Sequence, residues 1–213
     1  MKDLRVAVVG SGPAGIYAAA ALTAHEDAAV DVIDRLPTPF GLVRYGVAPD
    51  HEKMKSVAGA LRKVLEHDRV RFLGNIELGA DDERGVIPNA AGRILRDGAV
   101  VPGEYVAGWI KRGPSGVIGT NKHDATETVR CLLEDAPALP RREVGDADGI
   151  IDLLDQRGAR VVPWAGWEAI EALEIAAGQR RGARQAKIAD RELLLAAALS
   201  QTNPGGQERA PHE

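Results

Sequence analysis

Short apolar runs alternate with an alanine-rich run at the start of the chain. Leu4–Val9 consists of β-forming residues and stops at a glycine, and 30–33 is a second apolar run that ends at Asp34. The alanine-rich stretch at 16–24 lies between them. A continuous apolar run of this length is typical of a strand in a buried parallel sheet. The pattern therefore predicts a β–α–β unit over residues 4–34, with a right-handed crossover.

The pattern downstream predicts further strands and helices. Residues 36–50 are rich in proline and glycine, which indicates an ordered loop, whereas 80–103 shows no sustained periodicity. Apolar residues at helical or strand spacing predict helices at 53–67, 121–134, 146–157, 167–177 and 190–199, strands at 70–73 and 105–110, and a short extension at 74–79.

These elements predict an α/β protein with a Rossmann-like parallel sheet and additional C-terminal helices. We expect the sheet domain to be assembled from two segments of the chain. The predicted divisions are an N-terminal part at 1–79, an irregular junction at 80–103, a C-terminal part at 104–136, a helical extension at 137–200 and a polar, flexible tail at 201–213.

A glycine-rich turn joins the first strand to the first helix. Gly10, Gly12 and Gly15 form the G-x-G-x-x-G pattern, which permits a tight turn, close approach of a pyrophosphate and close packing of helix on strand. The helix begins at Pro13, Ala14 and Gly15, and the free N–H groups of its first turn suit phosphate. Asp34 ends the second strand, 24 residues after Gly10, where a carboxylate would hold a ribose. The alternative is a plain strand–turn–helix with incidental glycines.

The turn by itself does not separate FAD from NAD. Its position at the N-terminus and the proline at Pro13 both favour FAD.

Composition excludes several other classes of protein. The net charge of −4 and an aromatic content of 4% do not favour nucleic-acid binding. Cys131 is the single cysteine, so the chain cannot form an internal disulfide or a four-cysteine iron–sulfur or zinc site, and we expect no metal and a cytoplasmic location. No apolar run is long enough for a membrane span, and the first residues do not read as a signal peptide.

Two longer motifs point to a family. Residues 37–51 read Pro-Thr-Pro-Phe-Gly-Leu-Val-Arg-Tyr-Gly-Val-Ala-Pro-Asp-His, and 108–121 read Gly-Trp-Ile-Lys-Arg-Gly-Pro-Ser-Gly-Val-Ile-Gly-Thr-Asn. Both resemble the adrenodoxin-reductase type of ferredoxin–NADP reductase, including its mycobacterial relatives. The segment at 158–167 resembles the same family, so the resemblance covers most of the chain.

The resemblance implies a flavoprotein that takes a hydride from NADPH onto FAD and passes single electrons to an iron–sulfur ferredoxin. It assigns the FAD pyrophosphate to the turn from Gly10 to Gly15, and the adenosine ribose to Asp34, where the family more often has glutamate. Leu42 and Leu78 would pack on or bond to the cofactor.

The flavin ring, by the same resemblance, would lie against Trp109 and the turn formed by Gly116, Val117 and Ile118. Backbone N–H groups of Val117 and Ile118 would then stabilise the negative charge of the reduced flavin. Without the family match, this turn reads as an ordinary loop that leads into a helix.

His51 is the candidate catalytic residue. A histidine at this place in the family lies near the flavin and is proposed to take part in proton or electron handling. The simpler alternative is a histidine at a helix start that caps the helix or is solvated.

Part of the family pattern is missing. The family carries two dinucleotide folds, but this sequence has a single G-x-G-x-x-G, so the NADPH-binding domain has no counterpart and we expect impaired NADPH binding. The family's Ala-Thr-Gly strand is missing too, which predicts a gap beside the first strand that 105–110 could fill.

Three hypotheses remain open on this basis. The first is a shortened FAD-dependent oxidoreductase of this family, which lacks the NADPH-binding domain. The second is a non-enzymatic FAD-binding or electron-relay module. The third is an inactive remnant that no longer folds stably.

Overall fold

A computed structural model describes residues 4–46, 52–78, 86–140 and 148–200. Six strands lie in this part of the chain: β1 (Leu4–Val9), β2 (Ala28–Asp34), β3 (Val70–Gly74), β4 (Asn89–Ala90), β5 (Arg93–Arg96) and β6 (Ala99–Tyr105). The α-helices are α1 (Pro13–Thr23), α2 (Leu42–Tyr45), α3 (Glu52–Leu65), α4 (Trp109–Arg112), α5 (Ile118–Asp135), α6 (Gly149–Gln156), α7 (Trp164–Gln179) and α8 (Arg191–Leu199), with a short 3-10 turn at Ala136–Ala138.

A three-stranded parallel sheet forms the centre of the Rossmann-like α/β fold, with strand order β1-β2-β3. Val6 of β1 is in register with Val30 of β2, and Val30 with Val70 of β3. The predicted β–α–β unit over 4–34 and the third strand at 70–73 are therefore confirmed. The sheet is built from the N-terminal part of the chain alone, because the described C-terminal part adds no strand to it.

Helices cover both faces of the central strand. Val32 belongs to the main core with residues of α1, α5, α7 and α8, whereas its neighbour Ile33 packs with Leu73, Ile76 and the apolar side of α6. Successive strand residues point to opposite faces, so both faces of β2 are buried. This explains why the strand is apolar along most of its length rather than alternating.

A second, antiparallel sheet of order β4-β5-β6 lies in the segment that we expected to be irregular. That expectation was wrong for the described part of 80–103. Two tight turns build this sheet. Ala91-Gly92 and Asp97-Gly98 all have positive φ, as a two-residue hairpin turn with matching twist requires.

The predicted strand at 105–110 was also wrong. Strand β6 ends at Tyr105, which pairs with Arg93 in the antiparallel sheet, and residues 109–112 form the short helix α4. The segment therefore does not close the gap beside β1. Strand β3 ends at Gly74, and the described residues 75–78 of the predicted extension form no strand.

The later helices follow the prediction, with boundaries shifted by a few residues. The helix expected at 121–134 spans Ile118–Asp135, and those expected at 146–157, 167–177 and 190–199 correspond to α6, α7 and α8. No helix in the described ranges is long and apolar enough to cross a membrane. The tail at 201–213 lies outside the described residues.

Candidate dinucleotide-binding site

The glycine-rich turn lies at the carboxyl end of the parallel sheet. Gly10 has φ 102°, in the region that side chains rarely adopt, and its N–H donates to the carbonyl of Ile33 at 2.7 Å. A Cβ on Gly15 would overlap the carbonyl oxygen of Gly10 and press on Val8. Two of the three glycines are thus required by backbone conformation and by packing of α1 on β1, before any ligand is considered.

Gly12 has a different environment, and it is the position that a ligand would explain. Its φ of −74° suits any residue, and a Cβ added there would meet nothing within 4 Å. Open space therefore lies in front of the N-terminus of α1. Within that helix start, the N–H groups of Ala14 and Gly15 have no intrahelical acceptor, and Pro13 has no N–H. The arrangement fits a phosphate group.

The carboxylate of Asp34 bonds mainly to the turn itself. Its Oδ2 accepts from the N–H and the hydroxyl of Ser11, both at 2.6 Å, and its Oδ1 accepts from the N–H of Leu36 at 2.8 Å. A carboxylate can accept about four hydrogen bonds, so about one position on Oδ1 is left for a ribose hydroxyl. The short aspartate side chain thus fixes the conformation of the turn.

The loop that carries the first family motif packs over the turn. The N–H of Phe40 donates to the carbonyl of Ser11 at 3.0 Å, and a Cβ on Gly41 would lie 3.1 Å from the Cα of Gly12. Leu42, which begins the helix α2 within this loop, leaves 54% of its surface exposed. The side chain is therefore placed beside the turn and is free to contact a bound molecule.

A buried ion pair fastens this loop to the C-terminal helices. Arg44 donates to Glu174 at 2.6 Å, and both side chains are almost inaccessible to solvent. Glu174 also accepts from the side-chain amide of Gln185 and the N–H of Ile188, each at 2.8 Å. The guanidinium of Arg44 lies 4.8 Å from the ring centre of Trp167.

We did not identify this pair from the sequence, although one signal was present. Trp167, Ile170, Glu174 and Gly178 follow helical spacing on the buried face of α7, and glutamate is the charged residue among them. A charge on an apolar face requires a buried partner. The partner itself, 130 residues away, could not be read from spacing.

A second turn brings the N-termini of α1 and α5 together. Gly108, at the start of α4, lies so close to α1 that a Cβ on it would be 2.6 Å from the Cβ of Ala14 and 3.9 Å from the side-chain oxygen of Asn121. Ala14 is in the first turn of α1 and Asn121 in the first turn of α5. Two helix N-termini thus begin on the same side, and their dipoles both favour a bound anion.

Charged side chains hold this second turn in place. Buried Asp124 accepts from the N–H of Gly108 and pairs with Lys111 at 2.9 Å, and Lys111 also pairs with Glu127 at 2.9 Å. Burial by itself would lower the pKa of Lys111, but the bonds and charges of the two carboxylates outweigh it and raise that pKa. Lys111 therefore stays charged, and the ion pair fixes α4 on α5.

The residues expected to line the flavin ring lie on the surface near this turn. Trp109 is 43% exposed and Val117 is 74% exposed. The N–H of Val117 already donates to the hydroxyl of Thr120 at 3.1 Å, which leaves the N–H groups of Ile118 and Gly119 without an acceptor inside α5. The Cβ of a residue at 116 would collide with Thr120, so Gly116 allows this close cap.

Several of the residues predicted to bind the cofactor line one cavity of about 880 Å³. Its wall includes Gly10, Gly12, Ala14 and Gly15, together with Leu78. Ile110, the neighbour of Trp109, also lines it. The predicted catalytic residue, His51, lies outside the described residues, so its role stays a prediction.

Comparisons with known proteins point to one family. Residues 8–71 match the model of the NAD(P)-binding Rossmann-like domain. A curated relative from Mycobacterium tuberculosis, NADPH-ferredoxin reductase FprA, is 35% identical over 234 aligned positions, which cover 93% of this chain and 48% of the relative. The mitochondrial NADPH:adrenodoxin oxidoreductase of Arabidopsis thaliana is 47% identical over 115 positions, covering 50% of this chain and 24% of the relative.

A solved structure gives the same result for the fold. The structure described as Mycobacterium tuberculosis FprA in complex with NADPH superimposes with a TM-score of 0.81 at 21% identity, over 93% of this chain and 100% of the solved chain. The chain spans about half the length, or less, of the curated relatives named above. It is thus a half-length relative, in sequence and in fold, of the ferredoxin–NADP reductases of the adrenodoxin-reductase type.

Proposed function

We propose that this chain binds FAD at the carboxyl end of its parallel sheet and works as an oxidoreductase between NADPH and an iron–sulfur ferredoxin. The observation that carries the proposal is the meeting of two helix N-termini where Gly108 packs against the helix that follows the turn of Gly10 and Gly12. Open space in front of Gly12 and unpaired N–H groups at the start of α1 suit the pyrophosphate of a dinucleotide.

Different residues of the site would contact different portions of FAD. The N–H groups of Ala14 and Gly15 bind the pyrophosphate, and the remaining acceptor position of Asp34 faces the adenosine ribose. Leu42, Leu78 and Trp109 give apolar contact to the cofactor, and the N–H groups at the start of α5 stabilise charge on the flavin ring. Bound FAD would supply the exchange between two-electron and one-electron transfer.

NADPH binding is the weak step of this proposal. The family model matches one Rossmann-like domain, at 8–71, and the sequence has a single glycine-rich turn. We therefore propose that NADPH binds poorly to these 213 residues and that a ferredoxin is the electron acceptor. Cys131 is a free, buried thiol, in keeping with the proposed cytoplasmic location. The second candidate, an electron-relay module without NADPH turnover, is favoured by the same single domain.

A pair of glycine substitutions tests FAD binding apart from folding. Gly12→Ala adds a methyl group to space that is open in the free protein, so the fold should survive, but the methyl group would stand where the pyrophosphate binds. Gly59→Ala is the matched control, because its Cβ also meets nothing within 4 Å and Gly59 itself is exposed on helix α3. We expect FAD affinity to fall about 5- to 150-fold in Gly12→Ala, as for a loss of roughly 1–3 kcal/mol, and to stay unchanged in Gly59→Ala.

The measurement is the visible absorption of protein purified without added cofactor and then titrated with FAD. A flavin spectrum in the unmodified protein and in Gly59→Ala, weakened in Gly12→Ala, would support the proposal. A protein that stays colourless after incubation with FAD would refute it. Addition of NADPH then separates the two candidates, since rapid bleaching of the flavin by the isolated chain excludes a relay module that depends on another chain.

A further inference from the structure

A fully buried serine lies at the centre of the glycine-rich turn. Ser11 has 0% of its surface exposed, although it stands between Gly10 and Gly12. Its carbonyl accepts from the N–H of Phe40 at 3.0 Å, so its backbone is held against the loop that carries the first family motif. A buried hydroxyl needs a hydrogen-bond partner. The hydroxyl of Ser11 has that partner in the side chain of Asp34.

Both donors of Ser11 bond to the same carboxylate oxygen. The N–H and the hydroxyl each lie 2.6 Å from Oδ2 of Asp34. A carboxylate oxygen has two lone pairs, so these two bonds saturate Oδ2. The N–H is a backbone group that other residues at this position would also supply, whereas the hydroxyl belongs to the serine side chain. That side chain therefore decides whether Oδ2 has a free acceptor position.

The other carboxylate oxygen of Asp34 is only partly occupied. Oδ1 accepts from the N–H of Leu36 at 2.8 Å and keeps one lone pair. Asp34 is half-buried, so a ligand can reach this position from the carboxyl end of the sheet. A ribose presents two neighbouring hydroxyl groups, and each can donate a hydrogen bond. With one acceptor position available, the carboxylate can accept from one of them.

We propose that Ser11 is a specificity-determining residue of the dinucleotide site, because its hydroxyl occupies the acceptor position on Asp34 that a second ribose hydroxyl would otherwise use. Asp34 then binds one hydroxyl of the adenosine ribose and makes no bond to the other. The site consequently tolerates adenine dinucleotides that lack that second hydroxyl. This inference rests on the proposed binding of FAD, and it adds which part of the ribose the chain recognises.

Two analogues of FAD test the proposal on the unmodified chain. One lacks the 2′-hydroxyl of the adenosine ribose and the other lacks the 3′-hydroxyl. The affinities of FAD and both analogues are measured from the change in flavin fluorescence on titration with chain purified without added cofactor. One analogue should bind within about twofold of FAD, and the other should bind about 10- to 150-fold more weakly, the factor for one hydrogen bond to a charged group.

Ser11→Ala tests the role of the hydroxyl. The variant keeps the bond from the backbone N–H to Asp34 but frees one lone pair of Oδ2, so both ribose hydroxyls can donate. The analogue that the unmodified chain binds like FAD should then bind about 10- to 150-fold more weakly than FAD. A purely structural role of Ser11 would weaken all three ligands by the same factor and leave the ratios of their affinities unchanged.

Thr23→Val is the matched control for the loss of a hydroxyl. The hydroxyl of Thr23 donates to the carbonyl of Ala20 at 3.1 Å, at the far end of α1. This end lies about 15 Å along the helix from Pro13, and valine has nearly the same shape as threonine. The control should keep the affinity ratios of the unmodified chain. Circular dichroism of both variants verifies that they are folded.

Three results would overturn the proposal and leave the proposed FAD binding intact. The first is that both analogues bind the unmodified chain more weakly than FAD by similar factors, and the second is that both bind it as well as FAD does. The third is that folded Ser11→Ala has the affinity ratios of the unmodified chain. The first two need no variant, so the test does not depend on the folding of Ser11→Ala. An unmodified chain that binds no FAD would overturn both proposals together.

Discussion

Glu174→Gln should destabilise the protein far more than its conservative chemistry suggests. The carboxylate is inaccessible to solvent and accepts hydrogen bonds from Arg44, Gln185 and the backbone of Ile188. A glutamine has nearly the same shape but one acceptor oxygen instead of two, and it has no charge. Arg44 would then remain buried without its counter-ion.

The expected loss follows from the cost of a buried, unpaired charge. Removal of one partner of a buried ion pair costs about 3–5 kcal/mol, because the remaining ion is kept from water without compensation. The Nε of Arg44 already has no hydrogen-bond partner among the described residues, so few other contacts would compensate for the lost carboxylate. A loss of this size is a large part of the roughly 5–15 kcal/mol by which a protein is usually stable.

The assay is urea unfolding and thermal unfolding at pH 7, each followed by tryptophan fluorescence, to which Trp167 beside Arg44 contributes. At about 2–4 °C per kcal/mol for a chain of this size, the same loss lowers the Tm by about 6–20 °C. Glu192→Gln is the matched control, because its ion pair with Arg160 is exposed on both sides. Exposed pairs contribute about 0–1 kcal/mol, so the control should be nearly neutral.

A double variant separates the charge from the packing. Arg44→Met together with Glu174→Leu removes both charges, and replacement of a buried pair by apolar residues is often neutral. We expect the double variant to be more stable than Glu174→Gln. If Glu174→Gln were no less stable than Glu192→Gln, the conclusion that the buried ion pair of Arg44 and Glu174 stabilises the fold would be refuted.

Two further predictions concern the turn and the second sheet. Gly15→Ala should lower the free energy of unfolding by about 1–3 kcal/mol or more, because its Cβ overlaps the carbonyl of Gly10; urea unfolding that matched the unmodified chain would contradict this. Asp135 has a pKa below its usual 3.8, first because of its hydrogen bond from Arg93 and further because of that from Tyr105, both opposed by desolvation. Its stabilisation is therefore present above about pH 3.8 and is lost as the pH falls through the lower folded pKa. The difference in urea midpoint between the unmodified protein and Asp135→Asn should be largest near pH 7 and shrink below pH 4, and a constant difference would disprove the assignment.

The β–α–β unit was predictable because its signals are local. A run such as Leu4–Val9, a glycine turn and an alanine-rich helix each act within a few residues, and Gly10 and Gly15 are required by contacts inside the same unit. Asp34 was placed correctly at the end of β2, but its bonds to Ser11 were not foreseen. The type of an element followed from periodicity, whereas the partner of a side chain did not.

The antiparallel sheet was missed although its turns could have been recognised. Asp97-Gly98 is a strong hairpin signal, and Ala91-Gly92 provides the second turn. The strands that these turns connect are largely exposed or half-exposed, so they lack the continuous apolar run that marked β1 and β2. A search for turn residues, rather than for apolar periodicity, would have predicted this sheet.

The sequence alone determined the strand–turn–helix unit, the order of the main helices and the family motifs, because these depend on neighbours along the chain. Only the tertiary structure showed that α1 and α5 begin side by side, that Arg44 meets Glu174, and that β1 has an open edge. The first two join residues far apart in sequence, and the third depends on which strands pair. Such contacts depend on how whole elements pack, and a one-dimensional pattern carries no record of which surfaces meet.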